Sequence, residues 1–331
     1  MTRRTVLIAS ALSVLILVAA NLLVGRAASN SVPRQRMRTI DSAGPVIDVL
    51  GIGNSLMATG FDPDTVERTF RASGRPIIAL NAGLGATNPL EHLILARHAL
   101  RQHSVKQLIY GFFDQQLSDD VPLKNSDLIG NHAMLYYAEP QLAVRYAQFS
   151  WMDLVAFQTY RCCAMFQERG NIWAKVEKMR RAMASVGMPR QATNQFGRPE
   201  DFDLLEFVSP EEFSKRCRDV MRAGTFLSPP IQGLFQEANA KGVKITVVEM
   251  PMHPWHVKTF YDLPAWEEFR RLNRQAVERS GAAYLDASHW IPEETKFQDH
   301  IHLGPSGAAQ FSRMLAERLI QAAPSGVTAR R

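Results

Sequence analysis

An α/β fold on a five-stranded parallel sheet is predicted by three features of the sequence. Five short runs rich in Val, Ile and Leu recur between residues 46 and 286. Stretches of helical periodicity separate them, and Gly, Pro, Asn and Ser mark the junctions. Strands that alternate with helices imply right-handed crossovers and a parallel sheet covered on both faces. The chain has 331 residues, of which 46% are apolar and 21% charged, enough for one large α/β body with an insertion.

Met1-Thr2-Arg3-Arg4 is a short basic head, and residues 5–25 carry no charge. At a rise of about 1.5 Å per residue that run can cross a bilayer core. It is longer than the apolar region of a usual secretory signal, which favours an uncleaved signal-anchor over residues 1–25. Processing at Gly25-Arg26-Ala27-Ala28 is the alternative. Arg3 and Arg4 favour a cytoplasmic N-terminus, although Arg26, Arg34, Arg36 and Arg38 flank the other end. A large domain after a first helix commonly translocates whatever its charge. Residues 41–331 are therefore expected on the periplasmic, extracytoplasmic side of the cytoplasmic (inner) membrane. Residues 26–44, polar and holding Pro33 and Gly44, read as a linker to an α/β domain over 45–325.

Val46-Ile47-Asp48-Val49-Leu50 is the first strand, running into the tight turn Gly51-Ile52-Gly53-Asn54-Ser55. Asp62-Pro63-Asp64 opens a helix with Val66 and Phe70 on its apolar face and Gly74 as its stop. Residues 77–81 form a second strand, 89–103 a helix, and 105–112 a third strand ending at Phe113-Asp114. The alternation then halts. From 129 to about 187 the chain is helical and rich in Met and aromatics, including Met134, Tyr136, Tyr137, Phe149, Trp151, Phe157, Tyr160, Phe166 and Trp173. Aromatics at helical spacing are more often packing than a cofactor site, so a helical insertion after strand three, spanning about 129–240, is expected. Residues 188–207 read as a surface loop. Ser209-Pro210-Glu211-Glu212 is a capping box opening a helix toward Gly224, and Ser228-Pro229 opens another that closes at Lys241-Gly242. Strand four covers 243–250, a helix 264–281, strand five 283–286 and a closing amphipathic helix 305–323.

Composition removes several function classes. The net charge of +6 and pI near 9.3 suit an anionic polymer or membrane surface. No dense Lys/Arg block with interleaved aromatics appears, which disfavours nucleic acid. No Gly-rich loop with Lys-Ser/Thr is present, which disfavours nucleotide hydrolysis. Cys162, Cys163 and Cys217 have no metal-type spacing and make no disulfide framework. His253 and His256 lie three apart, a spacing metals can use, but no third ligand is evident, so neither metal nor cofactor is expected. His289 beside Asp286 reads as structural, and the adjacent Glu293-Glu294 as a solvated loop.

Chemistry gathers at the two ends of the α/β pattern. The turn at Ser55 sits at the carboxyl edge of the sheet, where open α/β folds hold their ligands. Asp299-His300-Ile301-His302 lies just before the closing helix, so the Asp299 carboxylate can fix the His302 ring while its other nitrogen faces a nucleophile. A serine hydroxyl attacks poorly until a base takes its proton, and His302 is the natural base for Ser55. An isolated Asp-x-x-His is more often a local loop contact. Paired with the Gly-x-Gly-Asn-Ser turn on a five-strand α/β pattern, it points to catalysis.

In these blocks the sequence resembles the SGNH (GDSL-like) hydrolase family. The matching pieces are Gly-Ile-Gly-Asn-Ser at 51–55, Asn-Ala-Gly-Leu-Gly at 81–85, Gly-Phe-Phe-Asp at 111–114 and Asp-His-Ile-His-Leu at 299–303. The resemblance implies a three-layer, flavodoxin-like fold with Ser55 as nucleophile, His302 as base and Asp299 as its orienter. It also implies an oxyanion hole from the Ser55 N–H, a glycine N–H of the second block and an asparagine amide of the third. Such donors are each worth roughly 3–4 kcal/mol when aimed at a tetrahedral oxyanion. This chain departs from the family pattern at three places. Asn54 stands for the usual Asp. The second-block donor falls on Gly85 or Ala86. In the third block Phe113 stands for the usual Asn, with Asp114 beside it; an ionised carboxylate repels an oxyanion, so the third donor is missing or comes from elsewhere, with Asn88 and Gln115 as candidates.

The layout, an apolar N-terminal helix before such a domain, resembles the membrane-anchored subset of this family that moves acyl groups onto cell-envelope polysaccharides. That resemblance implies an acyl donor, a carbohydrate acceptor, contact with the membrane through residues 5–25 and an integral-membrane acyltransferase as partner. O-acyltransferase or esterase is the expectation. The alternative is a catalytically weak scaffold that docks a membrane acyltransferase through the helical insertion.

Overall fold

A computed structural model describes residues 3–27, 32–118, 137–168, 172–173, 176–177, 179–180 and 209–322. The chain divides into two compact units, Met1–Arg38 with Val121–Arg190, and Thr39–Asp120 with Gln191–Arg331.

The first unit begins with α1 (Arg3–Ala27), in which residues 4–27 are long and apolar enough to cross a membrane. Helix α2 (Val32–Asp41) follows, so most of the expected linker at 26–44 is helical instead. Met37 and Ile40, one helical turn apart, are buried. Arg34 of α2 is paired with the fully buried Glu168 at 2.7 Å and with Gln167 at 3.2 Å. Among the described residues, the insertion includes α6 (Pro140–Ala147), α7 (Trp151–Cys162) and α8 (Ala164–Gln167). Ser150 and Asp153 cap α7 reciprocally, and Phe149 packs edge-on against the buried Phe157. The readings at 129–136 and 181–208, including the expected surface loop, fall outside the described residues.

The second unit holds one parallel sheet of β1 (Val46–Gly53), β2 (Ala79–Asn81), β3 (Ser104–Phe112), β4 (Lys244–Glu249) and β5 (Ala283–Asp286), in the order β2-β1-β3-β4-β5. That order reverses direction at β1, beside β3, and such a point opens a crevice at the carboxyl ends of the strands. Successive residues of the buried strands face opposite helical layers. Tyr110 faces α5 (Pro89–Gln102) and α10 (Pro229–Ala240): its hydroxyl lies 2.7 Å from His92 Nδ1 and its ring meets Phe235 edge-on. The neighbouring Val49, Ile109 and Val248 join the opposite core, with Val66 and Phe70 of α4 (Pro63–Ala72), Trp266 and Phe269 of α11 (Pro264–Arg279), and Phe311 and Leu315 of α12 (Pro305–Ala322).

Two expectations change here. A further short helix, α3 (Ser55–Gly60), starts at Ser55 itself, ahead of α4. The helices at 210–223 (α9) and 229–240 belong to the α/β unit and not to the insertion. Ile231, Leu234, Phe235 and Ala238 of α10 are buried at i, i+3, i+4, i+7, the stripe of a helix covering a sheet.

Candidate active site

The nucleophile turn is built by backbone crowding. Gly53 has φ +155, and a Cβ there would sit 2.5 Å from the Gly111 carbonyl oxygen, so only glycine lets β1 turn this close to β3. Asn54 caps α3: its side-chain oxygen accepts from the Leu56 N–H at 2.9 Å, and its amide donates to Gln116 at 3.0 Å. The asparagine thus performs the turn chemistry that an aspartate would, and Ser55 becomes the first helical residue, with its N–H among those a helix start leaves unbonded.

The loop after β2 is held against this turn. The Leu84 N–H donates to the Gly53 carbonyl at 3.0 Å. Buried Asn81 donates its amide to the Met57 and Phe61 carbonyls at 2.9 and 2.6 Å and accepts from the Gly83 N–H at 2.8 Å. A Cβ on Gly83 would lie 2.6 Å from the Ala58 nitrogen, and one on Gly85 would lie 3.7 Å from the Ser55 Cβ. The Gly85 and Ala86 N–H groups have no acceptor among the described residues. Ala86 adopts φ +56 and closes the turn. Thr87 donates to the Leu84 carbonyl, so its oxygen accepts from His92 Nε2–H at 2.9 Å, and His92 Nδ1 then accepts from Tyr110 at 2.7 Å. Burial drives the His92 pKa down to about 3, which keeps this ring neutral and the brace intact.

Far along the chain, residues 296–304 fold back on themselves. Phe297 bridges Leu303, the Gln298 N–H donates to the His302 carbonyl at 2.9 Å, and the Gly304 N–H to the Lys296 carbonyl at 2.7 Å. Within this loop Asp299 accepts the backbone N–H groups of His302 at 2.7 Å and Ile301 at 3.1 Å. Its two carboxylate oxygens lie 2.8 and 2.9 Å from His302 Nδ1. Burial acts to raise the Asp299 pKa, but the His302 ring and these N–H donors outweigh it and hold the carboxyl below its usual value. His302 Nε2 lies 2.8 Å from the Ser55 hydroxyl. The two loops are pinned together by Ser312 of α12, which donates to the Gly60 carbonyl at 3.2 Å and accepts the Asp62 N–H at 2.8 Å.

Ser55, His302 and Asp299 are thus brought into one line, with Gly85 alongside. Asp114 is not a member of an oxyanion hole. Its N–H donates to the Tyr261 hydroxyl at 3.1 Å, and its carboxylate accepts from that hydroxyl at 2.9 Å and faces His256 Nε2 at 3.0 Å. A backbone donor already spent and a negative side chain leave nothing for a developing oxyanion. Gln115 directs one N–H of its amide to the buried Cys217 sulfur at 3.0 Å. Asn88 uses its oxygen to cap α5, accepting from Leu90 and Glu91, and its amide nitrogen has no acceptor among the described residues. His253 and His256 do not converge: His253 Nδ1 accepts the Trp255 N–H, while His256 turns to Asp114. Ser288 stands between Asp286 and His289, 2.6 Å from one and 2.9 Å from the other.

Sequence reading passed over the Thr87–His92–Tyr110 brace and the Asn81 clamp. Asn88-Pro89-Leu90-Glu91 is a capping box legible in the sequence, and it fixes where α5 begins; nothing local shows that a histidine one turn later reaches back to the loop.

No protein-family model and no curated protein sequence matches this chain. Among solved structures, the chain is similar to a GDSL-like lipase from Bacteroides thetaiotaomicron at 8% identity and TM-score 0.39, covering 88% of this chain and 98% of the other. It is also similar to the lipase/acylhydrolase from Enterococcus faecalis at 11% identity and TM-score 0.36, covering 82% and 97%. The SGNH-hydrolase family esterase AlinE4 aligns at 14% identity and TM-score 0.35, covering 86% and 100%.

Proposed function

We propose that this chain is a serine acyl-enzyme of the SGNH type, anchored in the cytoplasmic membrane by α1 and working on acyl esters of a cell-envelope polysaccharide. The observation that carries the reading is the line Ser55 Oγ, His302 Nε2, His302 Nδ1, Asp299, with both contacts at 2.8 Å. His302 takes the Ser55 proton as the oxygen attacks an ester carbonyl, and Asp299 steadies the imidazolium that forms. The Ser55 and Gly85 N–H groups stabilise the tetrahedral oxyanion. Collapse expels the alcohol, protonated by His302, and leaves an acyl-serine. A sugar hydroxyl or water, deprotonated by the same ring, then removes the acyl group as a new ester or a free acid.

Transfer to a carbohydrate is favoured over hydrolysis by the anchored layout and by the basic pI near 9.3, which suits an anionic polymer. The acyl donor then reaches Ser55 from the membrane side, through an integral-membrane acyltransferase. The test is labelling by a fluorophosphonate probe, with loss of label in Ser55→Ala and His302→Ala, followed by acyl transfer to candidate polysaccharides with mass mapping of the product. A second reading, a catalytically weak scaffold, is favoured by the spent state of Asp114; it predicts folded protein that takes no label.

A further inference from the structure

The helical insertion carries an apolar surface that the α/β chemistry does not use. Trp151 and Trp173 are 72% and 71% exposed, and Met152, Val155, Met165 and Phe166 are exposed with them. Large aromatics left this open in a folded unit mark a surface that meets something other than water.

What it meets follows from where the insertion is attached. Most of α1 is bare, but Ala20, Asn21, Val24 and Gly25 are partly covered, at the i, i+1, i+4, i+5 spacing of one helix face. The cover is α8. The Met165 N–H donates to the Asn21 side-chain oxygen at 3.3 Å, and a Cβ on Gly25 would lie 3.3 Å from the Ala164 Cβ. The ion pair of Arg34 with buried Glu168 clamps the same end of the insertion to α2. Residues 20–25 belong to the uncharged stretch, so whatever surrounds them also surrounds residues 164–167. If α1 crosses a bilayer, residues 20–25 lie at the boundary between acyl chains and headgroups, and Met165 and Phe166 lie there too. Tryptophan favours that depth, because its ring is apolar and its N–H seeks water.

We infer that the insertion is an interfacial membrane element: α7 and α8 seat Trp151, Met152, Val155, Met165 and Phe166 in the leaflet from which the C-terminal end of α1 emerges, and the partner of this face is lipid. The inference rests on the anchor reading of α1. Arg145, exposed on α6, gives the unit a cation for anionic headgroups.

The test uses the full-length chain reconstituted in vesicles of phosphatidylethanolamine and phosphatidylglycerol whose acyl chains are brominated near the glycerol end. Flotation is read first. A chain that does not float with the vesicles defeats the anchor reading, and this inference falls with it. For a chain that floats, tryptophan quenching by bromine is compared between the wild type and Trp151→Phe. The expected result is wild-type quenching that exceeds the variant's by about the share of one tryptophan in five. Phenylalanine keeps a ring at the exposed position, and circular dichroism in detergent checks that the variant is folded. Quenching that is absent, or equal in the two chains, overturns the inference with the anchor intact and leaves the face to an integral-membrane protein.

Discussion

At the scale of single residues, the site depends on which hydrogen-bonding groups are already occupied. In the proposed mechanism Ser55, His302 and Asp299 act as a unit, so removing any one disables the rest, and the losses do not add. Ser55→Ala and His302→Ala are each expected to lower kcat on a short acyl ester by roughly 10⁴–10⁶-fold. Asp299→Asn should cost about 10⁴-fold, since an amide stabilises the wrong tautomer of His302. Steady-state kinetics beside an active-site titration checks all three. A subtler dependence runs through Thr87, which joins the neutral His92 ring to the loop bearing Gly85. Thr87→Val keeps the volume but breaks that brace. A drop in kcat of roughly 10-fold with little change in KM is expected, because a loosened oxyanion donor affects the transition state more than the bound ester.

At the scale of elements, two contacts decide how firmly the scaffold presents those residues. Gly83 allows the loop after β2 to touch the backbone of α3, where an added methyl would lie 2.6 Å from a nitrogen. Gly83→Ala should destabilise by about 1–3 kcal/mol and reduce activity, measured as the midpoint of urea unfolding and as kcat, since β2 must retreat from Ser55. The second contact is the buried network between β4 and β5. Glu249 accepts from Arg270 at 2.8 Å and from Tyr284 at 2.6 Å, and burial pushes its pKa up to about 7 against the pull of Arg270. A carboxyl with a folded pKa above its unfolded value binds its proton more tightly when folded. Its stabilising effect is therefore complete at low pH and is lost as pH rises from 4.5 to about 7. Wild-type protein should lose about 1–3 kcal/mol over that window relative to Glu249→Gln, whose profile is flatter. Denaturant midpoints at a series of pH values test the sign.

At the scale of the whole molecule, one chain combines an apolar helix with an α/β body. The helix has its midpoint near Val14 and Leu15. Arginine at both positions should raise the cost of insertion by about 3 kcal/mol each and move the protein out of the alkali-resistant membrane fraction, as read by immunoblot. The fold around the site should be unaffected, so detergent-soluble protein of that variant should keep its probe labelling at Ser55. Labelling lost together with membrane association would instead mean that the α/β unit does not form without the anchor.

The sequence alone determined what nearest neighbours along the chain encode. Apolar periods of two and of 3.6, broken by Gly, Pro and capping residues, were enough to place all five strands, several within a residue of their ends, and to put Ser55 after β1 and Asp299-His302 before α12. Other features had no local signal. Residues 32–41 read as polar linker because the buried partner of Arg34 lies 134 positions away. The helices at 210–240 read as part of the insertion because only tertiary contacts assign them to the α/β unit, those of α10 with α5 and β4 and those of α9 with α11. Asp114 falls in the third block of the family pattern, and only the fold brings in Tyr261, 147 positions on, which accepts its N–H and donates to its carboxylate. That a hydroxyl and an imidazole 247 positions apart approach to 2.8 Å was decided by tertiary structure. Such an approach depends on the register of five strands and the seating of Ser312 against α3, which are properties of packing that no short stretch of sequence contains.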